Sequence, residues 1–253
     1  MKKAQKIETE KGVEVYYERS NGNPTLVYLP GSTINHTVFN PQIEHFGSRG
    51  FGSIAIDHRG DGKSTKLPDK SSHTLEKYVQ DVEQILEAEG VKSSTLVGYS
   101  MGTMVAQAYA AKYQDRVDSL VLISGSCNLT KSLGRIPFIK VLAKIKPVAI
   151  MNAGLRAYNF LHNSLGRRKE GYYPDYSNGF GDLSGFEFVR EMYKNISSEE
   201  AKSKFASAES IMEWDTEEIA KQIRAPTLII HGALDTLITA DMAQKLHSLI
   251  PRS

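Results

Sequence analysis

The stretch Gly98-Tyr99-Ser100-Met101-Gly102 decides the fold. Ahead of it, Ser94-Thr95-Leu96-Val97 has the pattern of a short buried strand. Behind it, residues 101–113 carry apolar side chains at 101, 104, 105, 108 and 109, a helical spacing. A serine is thus placed where a strand turns sharply into a helix. Such a turn crowds the backbone, so the positions two before and two after the serine must be tiny, and both are glycine. The turn presents the Ser100 hydroxyl at the top of a sheet, with the positive end of the following helix beneath it. An ordinary glycine-rich strand-to-helix turn is the plainer alternative. The flanking strand and helix favour a nucleophile elbow.

Working outward, the chain is 253 residues long, 40% hydrophobic and 24% charged, enough for one α/β domain with a sizeable core. Lysine and arginine number 31 against 29 aspartates and glutamates, a net charge of +2 that points to no nucleic-acid partner. The single cysteine, Cys127, excludes an intramolecular disulfide. The basic start runs into Glu8, Glu10 and Lys11 rather than an apolar stretch, and no apolar run approaches the ~18 residues of a membrane span. The expectation is a cytoplasmic protein without stable membrane insertion.

Residues 7–9 and 13–17 read as a hairpin about Lys11-Gly12, and residues 25–29 as a buried strand ending in the tight loop Pro30-Gly31-Ser32-Thr33. A helix is expected after Pro41, with Ile43 and Phe46 inward. The strand 53–56 runs into Asp57-His58-Arg59-Gly60-Asp61-Gly62-Lys63-Ser64. Ser72 or Thr74 caps a helix over 75–89 whose face is Leu75, Tyr78, Val82, Ile85 and Leu86, and Gly90 ends it. A strand is expected at 117–123. Strands alternating with helices imply a mostly parallel sheet with helices on both faces. That rhythm stops between 125 and 210, which reads as an inserted helical lid, and the core is expected in 1–124 and 211–253. Within the lid, Pro137 and Pro147 open helices, 171–185 reads as a mobile glycine-rich loop, and 186–195 and 199–213 as helices. The rhythm resumes with a strand at 227–230 and a helix at 240–250.

With these segments in this order, the chain resembles the α/β-hydrolase superfamily, and within it the lid-bearing esterases, lactonases and C–C bond hydrolases. The resemblance covers nearly the whole chain. It implies that Ser100 is the nucleophile, that the backbone N–H groups of Met101 and Ser32 form the oxyanion hole, and that Asp235, in His231-Gly232-Ala233-Leu234-Asp235, is the triad acid. The 57–64 loop matches the family's Asp-x-Arg-Gly-x-Gly-x-Ser stretch, with Asp61 where a histidine is frequent, and reads as structural. The chemistry suits these residue types. A serine hydroxyl needs an adjacent base, a developing oxyanion needs aimed N–H donors, and a carboxylate orients the imidazole.

The family's histidine follows one strand beyond the helix after the acid, whereas this sequence reaches Pro251-Arg252-Ser253 there. The expectation is that the last strand and the triad histidine lie beyond Ser253 and that residues 1–253 alone are inactive. His247, the only histidine after Asp235 and the in-sequence alternative for the base, lies on the polar flank of the helix whose inward stripe is Met242, Leu246, Leu249 and Ile250. His36 either lines the pocket or is a surface-loop residue. His58 and Arg59 anchor their loop, His231 packs, and His45, His73 and His162 read as surface or lid residues. Asp57 is the rival acid, on the wrong strand for this family. No histidine or cysteine spacing suggests a metal, and no cofactor is expected. The lid cations Lys140, Lys144, Lys146, Arg156, Arg167, Arg168 and Lys169 read as a solvated face before a membrane or acidic-substrate surface. The lid aromatics Tyr158, Phe160, Phe186, Phe188 and Tyr193 read as helix packing before an acyl pocket. The functional expectation is a serine hydrolase acting on a small, mostly apolar ester, thioester or lactone. A ligand-binding or signalling module without turnover, and an acyltransferase, are the alternatives.

Overall fold

Among the described residues the apolar runs become the centre of a seven-stranded sheet. The computed structural model describes residues 2–130, 197–233, 235 and 237–253. Its strands are β1 (Lys3–Glu10), β2 (Val13–Ser20), β3 (Thr25–Leu29), β4 (Gly52–Ile56), β5 (Ser94–Tyr99), β6 (Val117–Ile123) and β7 (Thr227–Ile230), in the spatial order β1-β2-β4-β3-β5-β6-β7. β2 runs antiparallel to β1 and β4, and every other pair is parallel. β4 is buried at every position, as expected of a central strand covered on both faces. β1 begins earlier than its sequence suggests. The alternation Lys3-Ala4-Gln5-Lys6 is too polar to read as a strand, and pairing with β2 is what makes it one. At the other edge β7 leaves Leu228 and Ile230 exposed.

The helices among the described residues are α1 (Asn40–Gly47), α2 (Leu75–Ala88), α3 (Met101–Lys112), α4 (Ser198–Ile211), the single turn α5 (Glu217–Ala220) and α6 (Ala240–Leu249). The Thr74 side chain caps α2 by accepting the Lys77 N–H, and all five residues of the expected α2 face are buried. α3 is buried continuously from Met101 to Ala110, so it lies inside the molecule rather than on it. Its polar Gln107 is satisfied by donating to the Ser126 carbonyl at 3.2 Å and accepting from the Thr216 hydroxyl at 2.7 Å. Cys127, just past β6, is also buried. Burial pushes its thiol above the usual range, and its carbonyl accepts the Thr216 N–H at 2.8 Å. One helix departs from expectation. Ile43 of α1 faces the core, but Phe46 is exposed, because its ring meets His45 and Phe51 edge-on at the surface. The expected lid lies mostly in 131–196, outside the described residues, as do His162, the lid cations and aromatics, and the 171–185 loop. Only 125–130 and α4 represent it here.

The 57–64 loop is a buried polar network. The Arg59 guanidinium, 1% exposed, makes two bonds to Asp81, at 2.7 and 2.6 Å, and a third to Glu10 at 3.1 Å. Burial works against the charge on Asp57, but the His36 ring and the N–H groups of His36 and Lys63 outweigh it and hold the carboxyl below its ordinary range. The ring of His73 is buried rather than on the surface, because Tyr78 Oη and the Leu67 carbonyl engage its two nitrogens, each at 2.8 Å. His58 bonds the Pro30 carbonyl, packs on Tyr78 and leaves Nε2 buried without a partner among the described residues.

Burial pushes His58 down to about 4, so the folded protein holds it neutral where an unfolded chain, with its histidine near 6.5, takes up a proton. Its contribution to stability is therefore complete above pH ~6.5 and is lost as the pH falls toward 4, a decline on the order of 3 kcal/mol. His73, lowered for the same reason, adds in the same direction. Urea unfolding at successive pH values should show this fall, and His58→Gln should make it shallower. An unchanged slope in the variant would contradict the assignment.

Candidate active site

Ser100 sits between β5 and α3 with φ 51° and ψ −116°, a left-handed backbone that a non-glycine residue adopts only under constraint. The constraint is visible on either side. A Cβ at Gly98 would lie 2.6 Å from the Gly102 carbonyl oxygen, and one at Gly102 would lie 2.0 Å from the carbonyl oxygen of Leu29. The helix thus begins against the sheet, and only glycine fits at both contacts. Ser100 N–H donates to the Ile123 carbonyl at 3.0 Å, and the Ser100 carbonyl takes the Thr103 N–H at 3.0 Å and the Thr103 hydroxyl at 2.6 Å.

The sheet order explains what lies beside this serine. From β3 the chain crosses to β4 on one side and then back to β5 on the other, so β3 and β5 flank a topological switch point. Leu29 pairs with Gly98, which brings the loop after β3 alongside the elbow. A Cβ on Gly31 would lie 3.2 Å from Ser100 Cβ. Ser32 follows, its Oγ buried without a partner among the described residues, and Thr33 is left-handed at φ 68°. Ser100, Met101, Ser32 and Thr33 border one cavity of about 340 Å³, whose remaining wall is mostly apolar: Ile34, Leu129, Ile211, Met212, Leu237 and Ile238 among others. Another cleft, of about 260 Å³ between α2 and α3, shares no lining residue with it and holds no serine or cysteine.

Asp235 follows β7. Its Oδ1 accepts the N–H groups of Leu237 and Ile238, two residues that line the cavity, at 3.0 and 2.9 Å. Its charge adds to burial in raising the Tyr99 hydroxyl, so it lies in the field of the residue next to Ser100. The rival acid Asp57 is 0% exposed and bonded at 2.7 Å to His36 Nδ1, whose Nε2 stands 3.2 Å from Glu18. His36 is therefore neither a surface residue nor, among the described residues, a lining residue of the cavity. His247 is exposed on α6 and bonds Ser253 Oγ at 2.9 Å. His231 Nδ1 is buried without a partner among the described residues. No described histidine borders the cavity.

Residues 24–253 match the alpha/beta hydrolase fold family. The chain belongs to that family. Over 251 residues this α/β hydrolase is 25% identical to a bifunctional esterase/perhydrolase of Acinetobacter calcoaceticus, covering 94% of this chain and 85% of that one. Among solved structures it resembles an esterase from Exiguobacterium antarcticum (TM-score 0.74, 20% identity, covering 99% and 89% of the two chains). It also resembles Est816, described as an N-acyl homoserine lactone degrading enzyme (TM-score 0.72, 21% identity, 98% and 88%). At these identities the structures speak for the fold alone.

Sequence reasoning missed two residues of the hydrolase's site region, Ser203 and Lys204 on α4. Both are buried against the 57–67 loop. The available signal was a lysine on the stripe of Ala201, Ala208 and Ile211, where a helix otherwise turns apolar residues inward.

The two close approaches predict contrasting outcomes. Gly102→Ala drives a methyl group into the Leu29 backbone and should destabilise the fold by more than ~3 kcal/mol in urea titrations. Gly31→Ala meets side-chain atoms alone, of Ser100, Tyr99 and Ile34 at 3.2–3.4 Å, and should cost no more than ~1–2 kcal/mol. Equal stability losses in the two variants would refute this reading of the elbow.

Proposed function

We propose that the protein is a serine hydrolase acting on small, mostly apolar carboxylic esters, thioesters or lactones. The observation that carries this reading is Ser100, held in a left-handed elbow at the floor of a mostly apolar cavity that Ser32 and Met101 also border. The named activity of the curated relative, an esterase/perhydrolase, agrees with it. Ser100 Oγ attacks the substrate carbonyl as its proton passes to a base. The N–H groups of Ser32 and Met101 hold the oxyanion, a donor of this type contributing ~10²–10³ in rate. The tetrahedral intermediate collapses to an acyl-enzyme, and the alkoxide or thiolate leaves with a proton. Water then adds to the acyl carbon, and Ser100 departs to regenerate the enzyme and an acid. Asp235 is the carboxylate available to orient an imidazole base, a partner that no described histidine supplies at the cavity.

A second reading, a ligand-binding module without turnover, is favoured by the absence of a histidine from the cavity wall among the described residues. The two separate cleanly. A fluorophosphonate probe should label the wild-type protein and not Ser100→Ala, and an ester panel graded by acyl length should show turnover that the same substitution removes. Labelling that persists in Ser100→Ala would place the nucleophile elsewhere. Saturable binding of an ester with no release of product would favour the binding module.

A further inference from the structure

Thr33 is β-branched, yet its backbone is left-handed at φ 68°, a strained conformation that persists only where the surroundings over-determine it. Here both polar ends of the residue are gripped. Its N–H donates to Asp61 Oδ2 at 3.2 Å, and its carbonyl accepts from Lys204 Nζ at 2.5 Å. The two grips are opposite charges joined to each other, Lys204 Nζ standing 3.4 Å from Asp61 Oδ1. Neither reaches solvent: Asp61 is 0% and Lys204 4% exposed. One turn earlier on α4, Glu200 stands 3.8 Å from the same ammonium. A buried pair of this kind gains little stability over an apolar replacement, because desolvating both ions offsets their attraction, but it can fix a geometry.

What it fixes follows from the chain on either side. Beyond Thr33, the backbone is anchored at His36, whose N–H donates to Asp57 at 2.9 Å. Before Thr33 come Ser32 and Gly31, against Ser100. If Thr33 relaxed toward the extended region, the anchored side would stay and the displacement would fall on Ser32 and Gly31. We propose that Asp61 and Lys204 are positioning residues that clamp Thr33 and thereby hold the Ser32 N–H in register with Ser100, so that α4 controls the geometry of the oxyanion loop. This rests on the hydrolase reading above. The rival account is that the pair only cements α4 to the core.

The test is Lys204→Met/Asp61→Val, which removes both grips together and leaves Glu200 to interact with Lys66, as it already does. The expected result is a folded protein whose kcat for Ser100-dependent ester hydrolysis falls ~10–100-fold. KM should stay within about twofold, and the Thr33 amide should exchange faster with solvent. Asp61→Asn, which keeps an acceptor facing Thr33, should recover most of the rate. A folded double variant with wild-type kcat overturns the proposal, whether its Thr33 exchange is fast or slow. Should that variant not fold, Lys204→Leu/Asp61→Ala, which also removes both grips, is judged by the same measurements and criteria. If the wild-type protein shows no Ser100-dependent turnover, the hydrolase reading fails separately. The exchange arm then decides alone, and unchanged Thr33 exchange overturns the clamp.

Discussion

Two absent Cβ atoms govern this molecule. At Gly98 and Gly102 the start of α3 approaches the sheet so closely that a methyl group would overlap a backbone carbonyl, 2.6 Å away in one case and 2.0 Å in the other. Because the second of these carbonyls belongs to Leu29, the contact fastens three elements together: β5, α3 and the end of β3. The left-handed backbone of Ser100, the position of the loop after β3 and the site of the cavity all follow from that meeting. Side-chain packing on α3 secures it from behind, since the helix has no solvent face until Ala111.

A second layer of order comes from charge placed where water is absent. The 57–64 loop lies at the end of β4, next to the crossover, and is packed with ionisable groups that satisfy one another: Arg59 with Asp81, Asp57 with His36, Asp61 with Lys204. Removing one member of such a pair strands a charge in a medium that cannot solvate it, a loss of ~3–5 kcal/mol. Apolar packing alone tolerates slippage of a loop, whereas hydrogen bonds with fixed directions do not. The loops that border the cavity are held by this directional network, and the apolar core supports them from beneath.

Much of this was legible in the sequence, for identifiable reasons. The central strands are short apolar runs bounded by glycine or proline, and the runs at 25–29, 117–123 and 227–230 match their strands residue for residue. α2 announces itself through its cap and its stripe. The strand-to-helix turn at Ser100 was legible because the constraint on its neighbours is local: two glycines at fixed spacing between a strand and a helix. What escaped depends on partners distant in sequence. His73 reads as an exposed polar residue until Tyr78 and the Leu67 carbonyl are placed around it. Phe46 has inward spacing, but its helix is only eight residues long and its ring turns to Phe51 instead. Lys204 finds its buried counter-charge 143 residues away, a separation across which no spacing rule operates.

The lone thiol of Cys127 has a use of its own. It lies where the chain leaves β6, under the seam that the Thr216 N–H closes at 2.8 Å, and burial disfavours the thiolate that any alkylating reagent requires. Alkylation under native conditions should therefore be slow, and its speed would report how often the junction between the sheet and α5 opens, with no label added to the protein.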